Sequence, residues 1–155
     1  MNFEFDSMKT IITPQTVIDK NQLERNLDKA ISMVGDVSRL WPHVKTHKSL
    51  DLVKLMMESG ICKFKCATIA ECEMVAMAGA GNVLLAYPLV SVNINRFLDL
   101  CKAYPNTVFH TATDSLEQMD CLNRKCNESN QVANIMIDVN TGMNRTGVQL
   151  NNVVD

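Results

Sequence analysis

The segment LWPHVKTHKS, residues 40–49, sets His43, Lys45 and His47 two residues apart. In an extended strand that spacing sends all three side chains to one side. A lysine amine shielded from water beside other cations is a good nucleophile toward an aldehyde, and imidazoles beside it can carry protons. The plain alternative has Lys45 and Lys48 as strand-end lysines reaching water, with His43 and His47 hydrogen-bonded in the core. A second chemical candidate is Arg145, in a turn flanked by Gly142 and Gly147. Its permanent guanidinium suits an oxyanion, or it simply binds nearby turn carbonyls.

Such residues act only if regular elements hold them. Asp19 with Gln22 reads as a capping box opening a helix whose apolar stripe is Leu23, Leu27, Ala30, Ile31 and Val34, closed by Gly35. A first strand is expected from about Val37 to Lys45. Ser49 then caps a helix ending at Gly60, and strands follow at Cys62–Ala67, Asn82–Ala86, Thr107–Thr111 and Ala133–Val139. Thr68 with Glu71 and Asp114 with Glu117 read as further capping pairs, and Ser91 or Asn93 as another helix start. Strands separated by single helices imply an α/β fold with parallel pairing through crossovers. A closed eight-unit barrel takes about 250 residues, so about five β/α units form an incomplete one. A small doubly wound sheet is the alternative.

In a barrel, strand tips at the carboxyl end build the site. Lys45 and Arg145 are therefore expected at that end, facing a common cleft. Thr68, at a βα junction, offers a hydroxyl that caps its helix and faces the same end. Tyr87 and His110 lie near strand ends as pocket lining.

Composition narrows the classes further. The 155 residues are 46% hydrophobic and 21% charged with a formal net charge of -2, which describes a globular chain without a basic run for nucleic acid or anionic membrane. No apolar stretch reaches the roughly 20 residues of a membrane helix, and the start lacks a basic segment leading into an apolar one. The six cysteines are irregularly spaced in apolar segments, which suits free thiols in a reducing cytoplasm. Cys62 and Cys66 lack a second ligand pair at zinc spacing, so no metal is assigned; the ten methionines read as core filler.

The stretch PHVKTHK, residues 42–48, resembles the cofactor-lysine motif of the D-threonine aldolase / D-serine dehydratase family of pyridoxal-phosphate enzymes, whose barrel is that of the alanine racemase N-terminal domain. The likeness runs from Thr13-Pro14 and residues 23–26 through KFKCATIAE at 63–71 and LAYP at 85–88 to DVNTGMNRTG at 138–147. It implies a TIM-barrel-type domain over residues 13–155, partial, preceded by an arm at 1–12 and without the family's C-terminal β domain. By the same resemblance, Lys45 carries pyridoxal 5'-phosphate covalently, Arg145 lies beside the cofactor's ring oxygen, and His47 and Thr68 contribute to cofactor binding. Trp41 departs from the arginine often found before the proline.

The activity so implied is that of a lyase acting on D-3-hydroxy amino acids, of aldolase or dehydratase type. Full-length relatives hold a divalent metal through ligands outside this chain. A non-catalytic pyridoxal-phosphate-binding barrel, a racemase-like protein and an inactive fragment stand beside that reading. An unfinished barrel would leave sheet edges and an inward apolar face uncovered, and a homodimer is the expected remedy.

Overall fold

The computed structural model describes residues 12, 14 and 16–152. Apart from Ile12, the expected arm at 1–12 lies outside the described residues, as does Thr13 of the Thr13-Pro14 pair. Among the described residues five α-helices and four strands occur, alternating from α2 onward: α1 (Lys20–Val34), α2 (Leu50–Glu58), β1 (Lys63–Cys66), α3 (Ile69–Met77), β2 (Asn82–Leu85), α4 (Val92–Ala103), β3 (Val108–Thr113), α5 (Leu116–Ser129) and β4 (Asn134–Ile137). All strand pairs are parallel, in the order β1-β2-β3-β4. Among the described residues no helix is long and apolar enough to cross a membrane.

Local chemistry accounts for the helix ends. The Asp19 carboxylate accepts the Gln22 amide at 2.9 Å, although the Gln22 side chain turns to Asn26 and Arg25 and does not complete the box. The Thr68 hydroxyl accepts the Glu71 amide at 3.2 Å while Glu71 reaches back to the Ala67 amide at 2.7 Å, so one free donor of the first turn and the amide just before the cap are satisfied. Asp114 departs from expectation. The N-cap seat of α5 belongs to Ser115, which makes no side-chain cap bond, and the Asp114 carboxylate instead accepts the Gly147 amide.

The expected first strand is the main correction. Val37–Arg39 and Val44–Thr46 form short 3₁₀ helices, opened by side chains of Asp36 and His43 that accept from Ser38 N and Lys45 N. Pro42 between them has no N–H to give to a ladder. Pairing with β1 shrinks to one bridge, His43 opposite Lys65, with Lys65 N donating to Pro42 O at 2.9 Å. Four strands stand where five were expected.

Alternation along the strands divides the sheet into two faces. Phe64, Cys66, Val83, Leu85, Phe109, Thr111 and Thr113 are buried on the helix-covered face. There Phe97 of α4 meets Phe109 edge to face at 6.2 Å, and burial of each such ring contributes about 1.5–3 kcal/mol. Cys66 and Cys72 lie fully buried in this layer. Contact with the Cys66 thiol, then burial, pushes the Cys72 thiol well up, so it behaves as an inert core residue.

The opposite face is not the apolar surface expected. It presents Lys63, Lys65, Asn82 and His110 beside Leu84 and Met136. At its amino end Trp41 packs edge-on against His110 at 5.7 Å, Lys63 Nζ sits 5.7 Å from the Trp41 ring centre, and His110 Nε2 pairs with Asn82 Oδ1 at 3.1 Å. His110 is thereby a partnered strand histidine, away from the carboxyl ends of the strands.

Candidate functional site

Val44, fully buried, anchors the short turn that carries Lys45. Its carbonyl accepts His47 N at 3.1 Å and Lys48 N at 2.9 Å, which winds the chain so that the two lysines of the motif diverge. Lys48, at φ 48, sends its ammonium to the buried carboxylate of Glu71 at 3.4 Å. Lys45 enters a cavity of about 690 Å³ at the carboxyl ends of the strands, and forms no ion pair among the described residues.

That cavity is built from every strand. His43 and Lys45 come from the turn, Lys65 and Ala67 from β1 and its end, and Tyr87 and Pro88 from the β2–α4 junction. Ala112 of β3 and Asp138 and Arg145 beyond β4 close it. The expectation that Lys45 and Arg145 share a cleft at one end of the sheet is met. Three basic side chains, Lys45, Lys65 and Arg145, share the lining with one carboxyl, Asp138, so the cavity favours an anionic guest. Burial, then the ammonium groups of Lys45 and Lys65, lowers the His43 pKa and keeps its ring neutral at neutral pH.

Arg145 is held by a turn that folds on Asn140. The Asn140 side chain is buried; its Oδ1 accepts Gly142 N at 3.0 Å and Asn144 N at 3.1 Å, and its Nδ2 donates to Asn144 Oδ1 at 2.9 Å. Val139 bridges to Val148, closing the turn at its base. A Cβ on Gly147 would lie 2.6 Å from Asn140 N, and its φ of +97 is one that L side chains rarely adopt, so only glycine fits. Asn140 was not singled out in the sequence; its signal is the Asn-x-Gly spacing of an Asx turn. Lys65 and Asp138 were missed as well, since strand alternation marks a side but not a cavity.

His47 and Thr68 lie outside this lining. His47 is half-buried, with Nδ1 accepting the Ser49 amide at 3.1 Å. Thr68 caps α3 and lines an adjoining cavity of about 400 Å³ that shares Ala67, Tyr87 and Pro88 with the first. Among the described residues no three His, Cys, Asp or Glu side chains are grouped to hold a metal.

A cavity of this size is in the usual range of about 300–1,000 Å³ for small-molecule sites. An unpaired lysine and an arginine at its wall suit a phosphorylated aldehyde with a phenolate oxygen, so the residues present fit pyridoxal phosphate.

Residues 18–155 match the family described as alanine racemase, N-terminal domain. The chain is 26% identical over 144 residues to D-threo-3-hydroxyaspartate dehydratase of Delftia sp. (strain HT23), covering 92% of this chain and 37% of that protein. The solved structure of that dehydratase superposes with a TM-score of 0.81 over 90% of this chain. The crystal structure of D-threonine aldolase from Filomicrobium marinum superposes with a TM-score of 0.77 at 25% identity, over 89% of this chain and 37% of that one. The chain thus spans little more than a third of these relatives, and its four parallel strands with alternating helices match the N-terminal part of their kind of barrel. By the extent of that match, the chain belongs to the alanine racemase N-terminal domain family.

Proposed function

We propose that this chain supplies the cofactor-lysine portion of a pyridoxal-phosphate-dependent lyase acting on D-3-hydroxy amino acids. One observation carries the reading: Lys45 and Arg145 line a single cavity at the carboxyl ends of the strands, while Lys48 is turned away onto Glu71. Pyridoxal phosphate, when bound, supplies an aldehyde that condenses with an amine and a ring that draws electrons from the α-carbon of an amino acid. Lys45 is the covalent attachment point. Arg145, always charged, lines the same cavity and would stabilise an anionic ring oxygen of the bound cofactor. The neutral His43 ring at the cavity wall can accept a proton from substrate. Thr68 contributes from the adjoining cavity, and His47 from the end of the Lys45 turn.

Aldolase and dehydratase chemistry differ in which bond of the α-carbon breaks first, Cα–Cβ or Cα–H, the β-hydroxyl leaving only after the second. The named relatives include one of each. A variant of the dehydratase is described in a metal-free form, which supports a divalent metal held outside this chain. A reducing cytoplasm and a homodimer complete the reading, and the six cysteines, all free, support the former.

The test is chemical attachment. The chain incubated with pyridoxal phosphate and reduced with borohydride should carry the pyridoxyl group on the peptide containing Lys45. Lys45→Ala should lose it and Lys48→Ala keep it. Label found on Lys48, or spread evenly over surface lysines, would overturn the assignment. For the activity, a full-length relative sharing this segment should turn over D-3-hydroxy amino acids, and loss of all such turnover with cofactor bound would remove the lyase reading.

A further inference from the structure

Two buried polar atoms near the Lys45 turn have no hydrogen-bond partner: His47 Nε2 and Glu71 Oε1. Because His47 Nδ1 accepts the Ser49 amide, the neutral ring carries its proton on Nε2. The fold thus leaves a buried donor and a buried acceptor unmatched. The Glu71 charge raises the proton affinity of His47 and of His43, against the burial that lowers it.

Glu71 is only 5% exposed. Its Oε2 accepts the Ala67 amide at 2.7 Å, and its Oε1 faces Lys48 Nζ at 3.4 Å. Ala67 is part of the cavity wall, and Lys48 holds a φ of 48, a conformation that costs an L residue free energy unless something compensates. One carboxylate thus joins the end of β1 to the turn from which Lys45 projects.

A helix-capping role needs only the bond to Ala67 N, which a neutral amide would keep. The ion pair with Lys48 of the turn needs the charge, which also acts through space on His47, His43 and the Cys72 thiol next along α3; Lys65 on β1 bears on His43. We propose that Glu71 is a positioning residue for Lys45: with Lys48 it clamps the Val44–Thr46 turn to the β1–α3 junction and fixes the direction from which Lys45 enters the cavity. The inference rests on reading Lys45 as the attachment point.

The experiment compares the full chain with Glu71→Gln and Lys48→Gln. Titration of the His47 ring, followed by NMR without cofactor, reads the charge coupling; borohydride-trapped labelling of Lys45 by pyridoxal phosphate reads the positioning. In Glu71→Gln the His47 midpoint should move to lower pH and Lys45 labelling should slow by about tenfold or more, the scale of losses from a misplaced reacting group. Glu71→Asp should recover part of both. Lys48→Gln, on an exposed side chain that the core does not need, should slow labelling in the same direction and keeps the test alive if Glu71→Gln fails to fold. An unchanged His47 midpoint, or labelling as fast as wild type in either variant, overturns the clamp. The two readings fail separately: a wild-type chain that never labels at Lys45 overturns the attachment site, while the cofactor-free titration still decides whether Glu71 governs the turn.

Discussion

The Gly147 amide donates to the Asp114 carboxylate at 3.0 Å, tying the turn that bears Arg145 to the β3–α5 junction. Hydrogen bonds to a charged group contribute about 1.5–3 kcal/mol when shielded, less here because Asp114 is half-exposed. Asp114→Ala should lower stability by about 1 kcal/mol and speed hydrogen exchange at Gly147, whereas Asp114→Asn, which keeps an acceptor, should retain most of both. Equal exchange in the alanine variant would mean the turn holds itself.

Gly147→Ala and Gly142→Ala separate two penalties at positive φ. Gly142 has φ +116 with nothing within 4 Å of an added Cβ, while at Gly147 the Cβ would meet Asn140 N at 2.6 Å. Gly147→Ala should therefore destabilise more in a thermal melt and loosen Arg145, with backbone strain alone of about 1–2 kcal/mol at Gly142. The reverse order would contradict the packing of this turn.

Thr68→Ala removes the acceptor for the Glu71 amide. Loss of such a cap costs about 1 kcal/mol, readable as a shifted urea midpoint, and Thr68→Ser should restore it.

Acid sensitivity should begin with the histidines. Burial lowers the pKa of His43, His47 and His110 from the ordinary 6.5, so each takes a proton more readily unfolded than folded. Stability is then full above about 6.5 and falls as pH drops below it toward the lowered folded values. Asp36 and Glu128 are lowered from 3.8 and 4.5, by the Ser38 amide and by the Lys125 ammonium, so their contribution is lost only in stronger acid. The urea midpoint should be lower at about pH 5.5 than at about pH 7.5; no change would show that burial of these rings costs them little.

The outer edge of β4 is unpaired among the described residues, and all four of its residues are exposed, Ile137 by half. An open apolar strand invites a partner. Light scattering at several concentrations should show dimer growing with concentration, and a monodisperse monomer at all of them would remove the homodimer.

Helix ends were legible because their causes are local. Asp19, Ser49 and Thr68 accept from amides three residues on, and Gly35 and Gly60 take the positive φ where helices stop. The first strand was misread because its β-branched and aromatic residues describe a buried extended run, whereas Asp36, Pro42 and His43 divert the backbone into 3₁₀ turns. Asp114 has the composition of a cap, but its partner is Gly147, distant in sequence and invisible to spacing. Lys45 and Arg145 were found through a motif. That Lys48 leaves the cavity, and that Lys65 enters it, required the register of β1 against the turn.

Strand order in this sheet is the same as chain order. Each strand hydrogen-bonds to the one synthesised next, with a single helix between, so no pairing waits for a distant segment. Short loops close quickly, and a sheet of this kind can grow one β/α unit at a time as the polypeptide leaves the ribosome. The Lys45 turn is tethered to β1, the first strand made, while Arg145 arrives only after β4. The amine is therefore in place before the guanidinium that shares its cavity, and the cavity wall is complete only when the segment after β4 has folded.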